Sequence, residues 1–318
     1  MFRKALPALA AAVALVAPSL AGAAPPAGPP FTLKEIWPGI HAAIDGPEGR
    51  SGSNAGFIIG ETGVVVIDAF FTPDAARALL AEIRRLTPLP VRYVVNTHYH
   101  ADHTGGDAVF RDAGAVILAH RNVHGWVRSD NINLLGGAAI TPARRAQVEA
   151  LAQPDVGLTG DTTLWLGERR VEVRYVRGHT GGDLVVAAPD AHVLFCGDML
   201  WRRVSPNVVD GTVSDWIASV AGFAAAPDAA ATRFVPGQGE VADLNDVKDF
   251  GAYLQLLSKE TAAARASGAT GDALVAVVLP KMKAVYGGWE AFDYFAPKEI
   301  GFMAAELAGT KRRPVPQP

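Results

Sequence analysis

The six residues His98-Tyr99-His100-Ala101-Asp102-His103 constrain this chain more than any other stretch. Three of its 8 histidines fall there with an aspartate, directly after the β-branched run Val94-Val95-Asn96-Thr97. Nothing structural requires four metal-type ligands at this spacing. It suits two neighbouring cations, one taking an imidazole pair and the other a carboxylate and an imidazole. In an extended chain His98, His100 and Asp102 project to one side and His103 swings across. The following Thr104-Gly105-Gly106-Asp107 fits a tight turn into a helix.

The rest of the chain reads as strands that lead into polar loops, with helices between. Strand-like runs are 56–59 and 64–67, joined by a Gly-Glu-Thr-Gly turn, then 92–96, 115–119, 171–176, 192–195 and 233–235. Thr72-Pro73-Asp74 is a helix start, and Ala76, Leu79, Leu80 and Ile83 recur at the spacing of one buried helical face. Further helical stretches are 142–151, 214–224 and 245–258. Alternating strands and helices predict sheets covered by helices. His98, His179, Asp198 and Gln238 each stand beyond the end of a predicted strand, so four loops converge on one rim.

These motifs carry a resemblance. The chain resembles the metallo-β-lactamase superfamily, whose mark is His-x-His-x-Asp-His after a strand. The likeness continues at His179 in Gly178-His179-Thr180-Gly181-Gly182-Asp183 and at Asp198 in Val193-Leu194-Phe195-Cys196-Gly197-Asp198. It departs at Pro236-Gly237-Gln238-Gly239, where the family has Pro-Gly-His-Gly. The match spans residues 31–245. It implies an α/β fold, an αββα sandwich of two mixed β-sheets flanked by helices, with metals at one edge.

By the same resemblance His98, His100 and His179 hold a first zinc and leave a fourth position for water. Asp102, His103 and Asp198 hold a second, with Asp198 bridging. Gln238 is a weak or absent ligand, because an amide oxygen binds zinc less well than imidazole. The implied chemistry is attack by a metal-bound hydroxide on a carbonyl, with Asp102 orienting it and accepting its proton. Asp68, closing the run 64–67, is expected to accept a hydrogen bond from a metal-binding imidazole or to cap a buried turn. Arg202 and Arg203 are candidate clamps for a substrate carboxylate, and Trp201 a candidate wall of the cleft. His41, His120, His124 and His192 are expected in packing or surface roles.

The ends have their own signatures. Residues 1–23 read as a signal peptide: Arg3 and Lys4 precede an apolar run, and Ala21-Gly22-Ala23 is a small-residue cleavage site. A linker follows over 24–30, then the domain 31–245, a helical extension over 246–310 and a basic tail, 311–318, expected to be loose. The mature protein is expected to be periplasmic or secreted. Cleavage removes two positive charges and no negative one, taking the formal net charge from −3 to −5. That balance gives no reason to expect nucleic acid or, after cleavage, membrane as a partner; the expected partner is a small-molecule substrate. Cys196 is the only cysteine, so no intrachain disulfide forms. A buried packing role and a metal-adjacent thiol are both open to it.

Function then divides into three classes. The first is a zinc hydrolase with one or two metals, acting on an amide, lactam, lactone or ester, β-lactam hydrolysis being one version. The second is a mononuclear iron enzyme acting on a sulfur substrate through His98, His179 and Asp198. The third is a metal-binding accessory protein of a periplasmic redox system.

Overall fold

The computed structural model of the protein describes residues 28–46 and 48–315. The expected leader over residues 1–23 lies outside them. Seven strands form the first sheet in chain order: β1 (Phe31–Trp37), β2 (Ile40–Asp45), β3 (Ala55–Ile59), β4 (Val64–Ile67), β5 (Val91–Val95), β6 (Val116–His120) and β7 (Val156–Leu158). Its first half is antiparallel, whereas β4 to β7 run parallel. A second sheet has the order β12-β11-β10-β9-β8, with β8 (Thr162–Leu166), β9 (Arg169–Val176), β10 (Asp183–Ala188), β11 (Val193–Trp201) and β12 (Arg233–Gln238). Only the β11–β12 pair in it is parallel. Both sheets are therefore mixed.

Strand periodicity places the core. Val65 and Ile67 face the space between the sheets, where they join Val186, Phe195 and Val235. Val64 and Val66 face outward with Val94 and Ile117, under the helices α1 (Pro73–Leu86), α2 (Ala101–Thr104) and α3 (Asp107–Asp112) or beside them. A sheet covered on both faces reads as an unbroken apolar run, which is why the strands lack polar alternation. In α1 the Thr72 hydroxyl accepts a hydrogen bond from the Ala75 N–H at 3.2 Å, and Leu79, Leu80 and Ile83 are buried. Each such side chain contributes about 1.5–3 kcal/mol by leaving water.

Two further helices, α4 (Val123–Leu134) and α5 (Pro142–Glu149), follow β6. The outer face of the second sheet is covered by α6 (Val213–Ala225), α7 (Leu244–Ala266), α8 (Gly271–Tyr286) and α9 (Phe292–Leu307). Cys196 packs into this layer, fully buried, so the packing role is the one the fold gives it. The helix expected over 245–258 is longer because Thr261 and Ala264 continue its buried stripe beyond exposed Lys259. Among the described residues no helix is long and apolar enough to cross a membrane.

The described part of the basic tail corrects the expectation of a loose end. The Lys311 ammonium is buried, donating to the carbonyls of Val208 and Gly211, each at 2.6 Å. Arg312 pairs with Asp130 at 2.7 Å, and the indole of Trp126 donates to the Val315 carbonyl. Tertiary partners on α4 and on the loop after β11 fix a segment that has no apolar periodicity of its own.

One buried carboxyl ties the extension to the second sheet. Glu299 on α9 accepts from Tyr253 on α7 at 2.5 Å and from Ser205, just beyond β11, at 2.7 Å. Burial pushes its pKa up to about 8, with the Tyr253 and Ser205 hydroxyls opposing the shift. A carboxyl whose pKa is raised on folding stabilises the native state fully below its unfolded value, and the contribution is lost as pH rises through about 8. Glu299→Gln keeps the shape without the ionisation. The variant should gain stability relative to the parent between pH 5 and pH 8.5, by on the order of 1–3 kcal/mol, read as urea midpoints. A constant difference across that range would mean that Glu299 does not titrate there.

Candidate metal centre

The residues that end β5 and β11 build the floor of a cleft at one edge of the sandwich. After Val95 the chain is anchored by Asp68, which follows β4. Its carboxylate accepts from the Thr97 N–H and from the Thr97 hydroxyl, both at 2.8 Å. Asp68 itself sits at φ 58°, a left-handed conformation that costs little for aspartate and is held by these bonds. The extended path ends at His100, where the chain turns into α2. This corrects the extended reading of the motif. Successive helical residues are rotated by about 100° rather than flipped, so Asp102 and His103 approach the same partner instead of opposite faces.

Asp198 lies within β11 rather than beyond it, at the irregularity after Phe195 where the β11–β12 register shifts. Gly197 makes the kink with φ 50°, in a place where a Cβ would run into Thr97. Gly237 in the neighbouring turn is equally forced, since a Cβ there would overlap the Asp198 carboxylate. Asn54 closes the arrangement by donating to the carbonyls of Pro236 and Gly239 at 2.9 and 2.7 Å. His179 stands beyond β9 in a turn whose Thr180 N–H donates to both Asp183 carboxylate oxygens, at 2.9 and 2.8 Å.

Two groups of ligand atoms result, and they share one carboxylate. His98, His100, His179 and Asp198 form the first, and Asp102, His103 and Asp198 the second. Asp198 Oδ2 lies 3.3 Å from His179 Nε2 and 3.8 Å from His98 Nε2. Its Oδ1 lies 3.1 Å from His103 Nε2, which is 3.4 Å from Asp102 Oδ2. His100 turns Nδ1 toward His179 Nε2, 3.0 Å away. The buried atoms His98 Nε2, His103 Nε2 and Asp198 Oδ1 have no hydrogen-bond partner. Converging buried lone pairs without donors are costly unless a cation collects them. The nitrogen and carboxylate set fits a divalent metal of the zinc or iron type.

Electrostatics agree with that reading. Burial, reinforced by the neighbouring imidazoles, holds His98 and His179 well below the ordinary histidine value, in the neutral form that ligates. Burial would also lower His103, but Asp198, Asp102 and Asp68 outweigh it and raise its pKa well above normal. Asp198 is raised by burial against the pull of His103. A metal arriving at the second group must therefore displace a proton from His103.

The support around these atoms is dense. Asp68 Oδ2 stands 2.8 Å from His103 Nδ1, and the Thr97 hydroxyl 3.1 Å from His98 Nδ1. Asp210 Oδ2 lies 3.5 Å from His100 Nε2 and accepts from the Tyr99 hydroxyl. Asp210 was not legible in the sequence, because a lone aspartate in a loop after β11 carries no motif. It is flanked by Val208 and Gly211, the two carbonyls held by Lys311. Asn131, also unforeseen, accepts from the Ala101 N–H and donates to the Tyr99 carbonyl.

The remaining candidates separate. Gln238 ends β12 and turns its amide nitrogen to the Gly52 carbonyl at 3.2 Å and to Asp102 Oδ2 at 3.4 Å. Trp201 is buried on the cleft wall and donates to the Asp198 carbonyl at 3.0 Å. The arginines are corrected: Arg202 pairs with Asp246 at 2.8 Å, and neither Arg202 nor Arg203 lines the cleft. Both follow β11 in a bend, with Arg203 at φ 56°, and Asp246 of the α7 capping box captures the first. His41 stacks on Phe57, His120 on Tyr175, and His192 pairs with Asp228; with His124 they lie outside both ligand groups.

Known proteins resemble this chain in sequence and in fold. A family model described as metallo-beta-lactamase superfamily matches residues 49–242. The chain is 30% identical over 160 residues to a hydroxyacylglutathione hydrolase of Albidiferax ferrireducens, covering 49% of this chain and 52% of that protein. It is 26% identical over 221 residues to the metallo-beta-lactamase type 2 of Bacillus cereus, covering 66% of this chain and 75% of that protein. It thus spans about half the length of the first of these relatives. In structure it is similar to a metallo-beta-lactamase from Pontibacter korlensis, with a TM-score of 0.54, 22% identity, and coverage of 71% of this chain and 99% of that one.

Two substitutions test the centre. Asp210→Asn removes the charge facing His100 and should weaken the tighter metal site about 10–100-fold, measured by chelator competition. Unchanged affinity would show that Asp210 does not orient the imidazole. Gln238→His offers the second group a fourth ligand and should tighten only the weaker step in a stepwise calorimetric titration. Identical second-step affinities would mean that position 238 does not reach the metal.

Proposed function

The chain belongs to the metallo-β-lactamase superfamily, and we propose that it is an exported zinc hydrolase that opens an amide, lactam, lactone or ester carbonyl. One observation carries this reading. His100, Asp102 and Asp198, drawn from two ligand groups that share Asp198, line an open cleft of about 310 Å³, within reach of a small molecule. His98, His100, His179 and Asp198 would hold the first zinc and Asp102, His103 and Asp198 the second. When bound, the metal supplies a Lewis acid that polarises a carbonyl and brings the ionisation of water near neutral pH.

The chain's own residues supply the rest. Asp102 is the carboxylate of the cluster that opens to the cleft, with a third of its side chain exposed. It orients the attacking water and takes its proton as the water oxygen bonds to the carbonyl carbon. When the carbon–nitrogen or carbon–oxygen bond breaks, that proton passes to the departing atom. Before a cation binds, His103, between Asp102 and Asp198, holds Asp102 below its ordinary pKa despite burial, so the carboxylate is ionised. Trp201, Phe71 and Leu134 give the cleft apolar walls. Gln238 holds Asp102 in place.

Export is proposed from the basic-then-apolar segment 1–23. A periplasmic or secreted enzyme with a small-molecule substrate also accords with the mildly acidic mature chain. The test combines metal analysis of protein purified from its compartment with a panel of esters, lactones, lactams and thioesters. Zinc with turnover is expected. One iron per chain would turn the reading toward the sulfur-substrate enzyme, and zinc without turnover toward the accessory protein. His98→Ala or His179→Ala should lower both bound zinc and turnover by more than 100-fold, since either removes a ligand of the fuller site.

A further inference from the structure

The cleft beside the metal centre has a composition of its own. Its walls come from Phe71 after β4, Leu134 at the end of α4, Trp201 at the end of β11, Val204 just beyond it, and Phe295 from α9. The rings of Trp201 and Phe295 meet edge to face at 6.1 Å, so α9 completes a wall that begins on β11. The charge around this apolar surface is sparse. Among the described residues Arg50 is the lining cation, and its guanidinium is already 3.1 Å from Glu48. Glu290 lines the same mouth with the opposite sign. Arg202, which could have met a substrate carboxylate, is spent on Asp246.

We propose that this cleft takes a neutral ester or lactone with a compact apolar acyl body, and that it discriminates against multiply anionic thioesters and carboxylated lactams. The proposal rests on the carbonyl hydrolysis argued above and names its substrate class. A carboxylate entering this cleft loses hydration without gaining an unengaged guanidinium, whereas an alkyl or phenyl group replaces water against five apolar side chains. A cleft of about 310 Å³ holds on the order of ten water-sized groups. The acyl body is therefore of about that many non-hydrogen atoms. Hydrolysis adds one water across the acyl carbon–oxygen bond, giving a carboxylic acid and an alcohol.

The experiment is a chain-length series on the zinc-loaded protein: p-nitrophenyl acetate through decanoate, with a glutathione thioester and a penicillin as anionic comparators. kcat/KM should rise roughly fourfold per methylene and level off near octanoate. Phe295→Ala should flatten that slope by half or more, while Trp165→Ala, an exposed side chain on β8, should leave it as it is. A flat series, or a tenfold preference for the glutathione thioester, overturns the proposal. Binding of linear alkanamides, followed by calorimetry, separates the two readings. Affinity that climbs with chain length and falls in Phe295→Ala, without turnover of any ester, supports the apolar seat and overturns hydrolysis. Alkanamide affinity independent of length overturns the seat whatever the ester result.

Discussion

Everything at this edge of the sandwich depends on the sharing of the Asp198 carboxylate between two sets of imidazoles. One oxygen meets His98 and His179 and the other meets His103, all of them buried. Converging lone pairs and negative charge repel in a medium of low dielectric, so the cluster cannot be held by its own contacts. It must be imposed by the scaffold and completed by a cation. The surrounding protein can be understood as the means of imposing it.

That scaffold is made of ordinary parts under unusual constraint. Left-handed Asp68 spends its carboxylate on Thr97 and His103, so the end of β4 fixes the loop after β5. Gly237 lets β12 approach β11, and Gly197 lets β11 approach Thr97, more closely than any side chain would permit. Further out, Lys311 grips the loop that carries Asp210, and Asp210 faces His100. Burial lowers the Lys311 pKa to about 8, with Glu306 opposing the shift, and the ammonium is retained because two carbonyls receive it. The last residues of the chain thus act on the centre through two intervening contacts. Packing of α7, α8 and α9 on the second sheet brings them within reach.

Gln238 shows how a single departure redistributes roles. With an imidazole absent, the second group keeps three ligands, and the amide nitrogen turns toward Asp102 instead of presenting a donor lone pair to a metal. The centre becomes asymmetric, a fuller group of three imidazoles beside a leaner group rich in carboxylate. The cleft above it draws apolar side chains from α4, β11 and α9. Chemistry at the floor and selection at the walls therefore draw on different parts of the chain.

The sequence determined the local terms. Apolar runs marked the strands, Thr72-Pro73 marked the start of α1, and the density of histidines with aspartate marked a metal centre, because each is a property of neighbours along the chain. Its ligand types could be read from motifs, since metal chemistry restricts which residues can stand there. Tertiary structure decided what those motifs do in space. It bent the histidine motif into a helical turn, split Asp198 between two groups, and recruited Asp210 and Asn131, which belong to no motif. It also turned Arg202 away to Asp246 and fixed Lys311 in a tail that looked loose. The reason is physical: a strand's pleat and a helix's period set which way a side chain leaves the backbone, but its partner comes from an element distant in sequence. Only the packing of the two sheets and the helices of the extension brings the two together.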